Sequence, residues 1–321
     1  MADGSGLFWY SAMELAPGRF TREGELPYWT MGLTREALDG IDVAGMKCLD
    51  VGAADGFTAA MLKRRGADSV VAVDCCDYSH QNSIVQKAMD VGYKYLPGVG
   101  TLKLVDRMID FHKFGDRLFT DHGLADTDFA YDLVVCSGVM YHVYSPAHLI
   151  GSLRTLVRPG GLVVLETAFI PGAGHYMSFN YFGDGNHIYT YSDTWFITPN
   201  LLDYLLRMFS LEPIDFIYRT DKQIDGERFV GRGAVVCRAV DGPVPKADQH
   251  QMTTSTRTFE FDELYKAELE GLKQRSSIAY ASINGRGVRR DGFLDLAATA
   301  EAQAELPKDH DRAILRLADY Q

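Results

Sequence analysis

Cysteine is scarce in this chain, with five among 321 residues: Cys48, Cys75, Cys76, Cys136 and Cys237. None stands at the spacing of a metal site, so no metal is expected, and the odd count excludes a fully paired disulfide framework. Together with the lack of a signal peptide, this points to a reduced, cytoplasmic protein. Long apolar runs are also missing. A membrane span needs ~18–20 consecutive apolar residues, and no stretch approaches that, so no membrane association is expected. Positive charge is in deficit, with 32 Lys and Arg against 43 Asp and Glu for a net charge of −11. Such a surface is not built to track a phosphate backbone, which argues against a nucleic-acid partner. The chain also lacks internal repeats and low-complexity segments.

What is present describes a folded chain with 46% hydrophobic and 12% aromatic residues. From about residue 46 to 240, apolar runs alternate with helical patterns, which reads as α/β. Strands are expected at 47–51, 69–74, 131–137, 160–168, 212–218 and 231–238, and helices at 56–66, 79–92, 145–157 and 198–209. The runs Val70–Val73 and Leu162–Leu165 are nearly continuous, as in a parallel sheet covered on both faces. Residues 1–43 carry Phe8, Trp9, Tyr10, Phe20, Tyr28 and Trp29. They suit either a strap covering the sheet edge or a lid over the site. Residues 170–196 interrupt the strand–helix rhythm, and a long insertion of this kind is often a binding loop. Gly242-Pro243-Val244-Pro245 reads as a linker. Beyond it, 259–274, 292–305 and 309–319 read as helices, forming a cap, an arm for a homodimer, or both. The expected organisation is 1–43, 44–240 and 241–321.

Residues 46–57 carry the most chemistry. A short strand, Cys48 to Val51, ends in the turn Gly52-Ala53-Ala54, and Asp55-Gly56 opens a helix. This is the geometry in which a nucleotide-type cofactor crosses the carboxyl end of a parallel sheet. The dinucleotide fingerprint is incomplete, because Ala54 replaces its second glycine and the third is missing. Acidic residues flank the turn, and they would repel a pyrophosphate but hold an ammonium group and ribose hydroxyls. The loop therefore points to S-adenosylmethionine rather than NAD. Asp50 can receive the ammonium, with Gly52 and Ala53 as a backbone cradle beside Gly56. Asp55 is either a helix N-cap or a cofactor contact. Asp74, about twenty residues beyond the loop, can accept both ribose hydroxyls, with Cys75 next to it. Asp121 or Asp126 could take the adenine amine.

The strand 131–137 leads into Cys136-Ser137-Gly138, where the chain can pass close to the sulfonium, and then Tyr141-His142. His142, just past a strand end, is a candidate general base or acceptor-orienting group, beside Tyr141. Glu166 interrupts an apolar run and must be paired, exposed to the cleft or protonated. It could cap a backbone amide, remove an acceptor proton or bind a cationic acceptor. The insertion supplies His187, Tyr189 and Trp195 as acceptor contacts. In the tail, Asn284 to Arg290 reads as a solvated turn, or as a clamp in which Arg286 holds an acceptor anion.

Four segments together resemble the class I S-adenosylmethionine-dependent methyltransferases. These are Leu49–Gly56, Val71–Asp74, Ser137–His142 and Pro159–Thr167. The closest likeness is to the branch of tRNA wobble-uridine carboxymethyltransferases and their small-molecule relatives, which Thr194–Pro199 and Trp9-Tyr10-Ser11 also resemble. The resemblance implies a Rossmann-like, doubly wound, mostly parallel seven-stranded sheet and methyl transfer from S-adenosylmethionine. In the tRNA enzymes a basic strap precedes the first loop. Here Pro17–Leu26 has no lysine and mixed charge, so the resemblance implies the ordinary cofactor and a small-molecule acceptor. A tRNA-modifying enzyme and a non-catalytic cofactor-binding relative are the alternatives.

Overall fold

Local chemistry sets two of the helix starts. Pro146 and Pro199 each open a helix at its first turn, where a missing amide costs nothing. At the first of these, Ser145 caps the helix by accepting from the His148 amide. The computed structural model describes residues 7–22, 28–98, 131–143, 145–170, 175–179, 195–224, 228–240, 285–286 and 314–315. Its elements begin with β1 (Ala12–Ala16), β2 (Arg19–Phe20), α1 (Tyr28–Asp39), β3 (Lys47–Val51), α2 (Phe57–Arg64) and β4 (Ser69–Asp74). There follow α3 (Ser79–Ala88), β5 (Lys94–Pro97), β6 (Tyr131–Ser137), a 3-10 turn (Met140–His142), α4 (Pro146–Leu156) and β7 (Val157–Phe169). The remainder are β8 (Met177–Phe179), β9 (Trp195–Ile197), α5 (Pro199–Met208), β10 (Leu211–Ile224), β11 (Arg228–Ala239), β12 (Gly285–Arg286) and β13 (Ile314–Leu315).

The main sheet runs β12-β10-β11-β7-β6-β3-β4-β5. Strands β5, β4, β3, β6 and β7 are mutually parallel, and β11 is antiparallel to both its neighbours. The expected seven strands are those from β10 to β5. The edge strand β12 and the pair β8–β9, which joins β7 at Phe169↔Ile197, extend the sheet to ten strands among the described residues. The chain winds outward from β3 to β5, then crosses to β6 on the other side of β3. The switch point therefore lies at the carboxyl ends of β3 and β6, where ligands bind in open α/β sheets.

Alternation along β3 divides its side chains between two faces. Leu49 and Val51 join a core built with Leu149, Leu153, Leu202 and Leu206 of α4 and α5. Cys48 faces the other way, into a core with Leu33 and Leu38 of α1 and Ala60 and Leu62 of α2. Helices thus cover both faces, which is why the parallel strands tolerate apolar residues at nearly every position. Trp9 is buried in the second core, whereas Phe8 is 65% exposed.

The structure departs from expectation at several elements. Residues 314–315, expected in a helix, form β13 and pair in parallel with β1. Residues 285–286, expected in a turn, form β12 against Ile217 and Tyr218 of β10. In both cases the long-range backbone partner decides the conformation. The expected helices at 259–274 and 292–305 lie outside the described residues.

Candidate functional site

The first loop turns sharply where β3 ends. Gly52 and Ala53 both donate their amides to the Val73 carbonyl, at 2.9 and 3.0 Å, tying the turn to β4. Gly52 has φ +78°, and a β-carbon there would meet Val139 Cγ2 at 2.3 Å. The close approach that this glycine allows is therefore to the Ser137–Val139 turn. Ala54 takes φ +45°, strained for a residue with a side chain. Its amide donates to Asp74 Oδ2 at 2.8 Å, and Asn82 Nδ2 donates to its carbonyl at 2.8 Å.

Gly56 is fixed by the same network. Its φ is +91°, and an added β-carbon would meet Tyr93 Oη at 2.2 Å and Asn82 Oδ1 at 2.5 Å. Those two atoms hydrogen-bond each other at 2.7 Å in a buried position. Gly56→Ala combines a left-handed backbone with overpacking, and it should destabilise the fold by about 2–4 kcal/mol. Urea unfolding of the variant measures this, and an unchanged midpoint would mean that the Asn82–Tyr93 pair yields freely.

Two carboxylates meet at the ends of β3 and β4. Asp50 is 2% exposed, and its Oδ2 has no hydrogen-bond partner among the described residues. Burial, and then the neighbouring Asp74, push its carboxyl up from 3.8 to about 8. Asp74 is also buried. Its Oδ1 accepts from the Cys76 amide at 2.9 Å and its Oδ2 from the Ala54 amide. The Cys75 thiol also bonds this carboxylate, and two carboxylate oxygens have about four acceptor positions in all, which leaves room for a ligand. A buried acid with an unmatched oxygen beside a second carboxylate suits a group that brings positive charge and hydroxyls. By this test the residues present fit S-adenosylmethionine.

Asp55 has a different duty from either one expected. It is fully buried, and its carboxylate accepts from the Tyr10 and Ser11 amides and from Ser11 Oγ, each at 2.7 Å. Burial raises its pKa, and the Ser11 and Tyr10 hydrogen bonds oppose the rise. Asp55 is no N-cap, since Gly56 holds that position without a side-chain bond. Its carboxylate ties the N-terminal strap to the loop instead of facing a cofactor. Cys136 likewise points into the core at 0% exposure, and burial pushes its thiol far above the usual range. The sequence signal for both was position in the loop or strand, which does not distinguish the faces.

Glu166 is paired within the chain. Its carboxylate receives Arg232 Nε at 2.8 Å and Arg232 Nη2 at 2.7 Å, both side chains being 0% exposed. The Gly138 amide donates to its Oε2 at 3.0 Å, and Ser137 Oγ lies 3.4 Å from the same oxygen. Thr34 of α1 reaches Ser137 Oγ at 2.5 Å. The cation that Glu166 binds is thus the chain's own, and the amide it caps is that of Gly138. This corrects the expectation of a base or acceptor-binding group, because both carboxylate oxygens are already engaged by the buried Arg232 guanidinium and the Gly138 amide. Arg232, missed in the sequence, also stacks 4.4 Å from the Tyr141 ring centroid. A signal did exist in the flanking glycines, Gly231 and Gly233. Added β-carbons there would strike Phe169 and Phe216.

Tyr141 is buried, and burial raises its phenol well above the usual range although Arg232 opposes the rise. His142 follows in the 3-10 turn, partly exposed, with its ring 4.2 Å from that of Tyr141. Phe196 of β9 packs with Tyr141, Ala168 and Ile170, so the end of the insertion sits against this turn. Trp195 is partly exposed at the start of β9. Asp121, Asp126, His187 and Tyr189 lie outside the described residues. Arg286, in β12, is five strands from β3, roughly 24 Å away by strand spacing, which separates its backbone from the first loop.

Residues 27–196, more than half of the chain, match a family profile described as a methyltransferase domain. A ubiquinone biosynthesis O-methyltransferase of Acinetobacter baylyi is 30% identical over 129 residues, covering 39% of this chain and 44% of that protein. A tRNA U34 carboxymethyltransferase of Idiomarina loihiensis is 27% identical over 136 residues, covering 41% of this chain and 35% of that protein. The chain thus matches less than half the length of these curated relatives. Among solved structures, the N-terminal domain of EvdMO1 in the presence of SAH and D-fucose has a TM-score of 0.47 and 16% identity. That alignment covers 72% of this chain and 91% of that one.

Proposed function

This chain belongs to the methyltransferase-domain family, and we propose that it transfers a methyl group from S-adenosylmethionine to a small-molecule acceptor. The observation that carries the reading is the pair of buried carboxylates at the switch point, one with an oxygen left unmatched. Asp50 would receive the methionine ammonium, and Asp74 the ribose hydroxyls. When bound, the cofactor supplies an electrophilic methyl on a sulfonium, so the protein's main task is to align an acceptor nucleophile.

The Ser137–Gly138 turn, braced by Glu166 and Arg232, forms one wall of that space, and His142 stands next to it. A phenolic acceptor would give its proton to His142, whereas an amine would need no base. The net charge of −11 supports a small acceptor over tRNA, because nucleic-acid affinity rests largely on phosphate neutralisation. Two further expectations join the proposal: a cytoplasmic location, and a homodimer if the C-terminal extension acts as an arm. No helix among the described residues is long and apolar enough to cross a membrane.

Calorimetry with S-adenosylhomocysteine tests the cofactor site. Wild type should bind, and Asp74→Ala should weaken binding by about 1.5–3 kcal/mol, the usual worth of hydrogen bonds to a charged group. An inert wild type would sink the reading. Strong, salt-sensitive binding to bulk tRNA would shift the acceptor to nucleic acid.

A further inference from the structure

Two thiols stand side by side where β4 ends. Cys75 is partly buried and Cys76 exposed, while Cys48, Cys136 and Cys237 are buried in the cores. The Cys75 and Cys76 sulfurs are 3.7 Å apart. Two metal–sulfur bonds of about 2.3 Å at the tetrahedral angle place their sulfurs about 3.8 Å apart. A disulfide would require closure to about 2.05 Å. The thiols are therefore spaced as zinc ligands are, and not as a bonded pair.

The third donor is a carboxylate oxygen of Asp74, and all three donor atoms lie within 4.8 Å of one another. Besides the two amides, the Asp74 carboxylate holds the Cys75 thiol, an acceptor position that is freed when that sulfur gives up its proton to bind a metal. Two sulfurs and one oxygen select a borderline-soft ion over magnesium or calcium, which take oxygen ligands. Three protein donors also leave the fourth tetrahedral position to water. Sequence spacing concealed this group, since adjacent cysteines fit none of the usual separated-pair patterns.

We propose that Asp74, Cys75 and Cys76 form a binding site for a thiophilic divalent cation of the zinc class, and that cation and cofactor exclude each other. The exclusion rests on the ribose role assigned to Asp74 above. Binding is ligand exchange without electron transfer. Two sulfur–metal bonds and one oxygen–metal bond form, metal-bound waters leave, and the two thiol protons pass to solvent. With one of its oxygens on the metal, Asp74 can no longer accept both ribose hydroxyls.

Co²⁺ and Zn²⁺ added to the intact chain are the probes. Co²⁺ should produce thiolate-to-cobalt charge-transfer absorption that saturates at about one equivalent and is absent from Cys76→Ser. Zn²⁺ should shield Cys75 and Cys76 of the wild type from alkylation, a readout that requires no variant. Saturating Zn²⁺ should raise the Kd for S-adenosylhomocysteine at least about tenfold in wild type and leave that of Cys76→Ser unchanged. Absence of the absorption together with undiminished alkylation would overturn the site. A metal complex that binds S-adenosylhomocysteine as well as the free chain does would overturn the exclusion. If the metal-free chain binds no S-adenosylhomocysteine, the cofactor reading falls, while absorption and alkylation still judge the metal site.

Discussion

Asp50→Asn should melt at a higher temperature than wild type at pH 8 and above, and should bind S-adenosylmethionine far more weakly. Asp50 has a folded-state pKa raised from 3.8 to about 8, chiefly by burial. Below pH 4 the group is protonated in both the folded and unfolded chain and contributes nothing to the pH dependence. Between about pH 4 and pH 8 the folded state retains a proton that the unfolded state has released, so stability falls as pH rises. Each pH unit in that window costs up to about 1.4 kcal/mol, and the full cost is present above pH 8. Asparagine removes this dependence. Melting temperatures measured from pH 4 to 9 should diverge steadily, and parallel curves would show that Asp50 is not the responsible group.

The same carboxyl should make cofactor binding pH-dependent. To pair with an ammonium, Asp50 must be ionised, so wild type near neutral pH should release close to one proton on binding. Affinity should then weaken by up to about tenfold per unit as pH falls below 8. Calorimetry in buffers of different ionisation enthalpy counts the proton. Asp50→Asn should release none, and its binding loss should persist at every pH. One side chain thus lowers stability and supports binding.

Arg232→Met should produce the largest loss of stability among single substitutions near the site. It leaves the Glu166 carboxylate at 0% exposure without its guanidinium, and breaking a buried pair from one side costs about 3–5 kcal/mol. A double variant, Arg232→Met with Glu166→Leu, removes both charges and should recover most of the stability. Urea unfolding of the four members of the cycle checks this. A single variant within about 1 kcal/mol of wild type would mean that the pair is not coupled. Even the stable double variant loses the brace on Gly138 and the cation over Tyr141.

The parallel half of the sheet was legible because its strands are buried on both faces and read as short apolar runs. Strand β5 was not, since Lys94-Tyr95-Leu96-Pro97 offers four residues, one of them charged and one proline. Strands β12 and β13 have two residues each, and their conformation follows from partners far away in sequence. The same divide runs through the site. Asp50 and Asp74 stood out as acids closing apolar strands. The contact of Asp55 with Ser11 joins residues 44 apart, and the pairing of Glu166 with Arg232 joins residues 66 apart. No local pattern names either partner, although Gly231 and Gly233 mark the close packing around Arg232. Arg232 sits on β11, a strand flanked on both sides by β10 and β7, so its partner comes from across the sheet and not from nearby sequence.

The pairing of Ala12 with Ile314 has a consequence for the order of events during synthesis. The segment that Asp55 anchors leaves the ribosome before its β13 partner, which follows roughly three hundred residues later, a loop closure of the slowest class. A nascent chain stopped at residue 240 already holds every carboxylate of the switch point. It can therefore assemble the Asp55–Ser11 clasp while β1 still waits for its parallel neighbour.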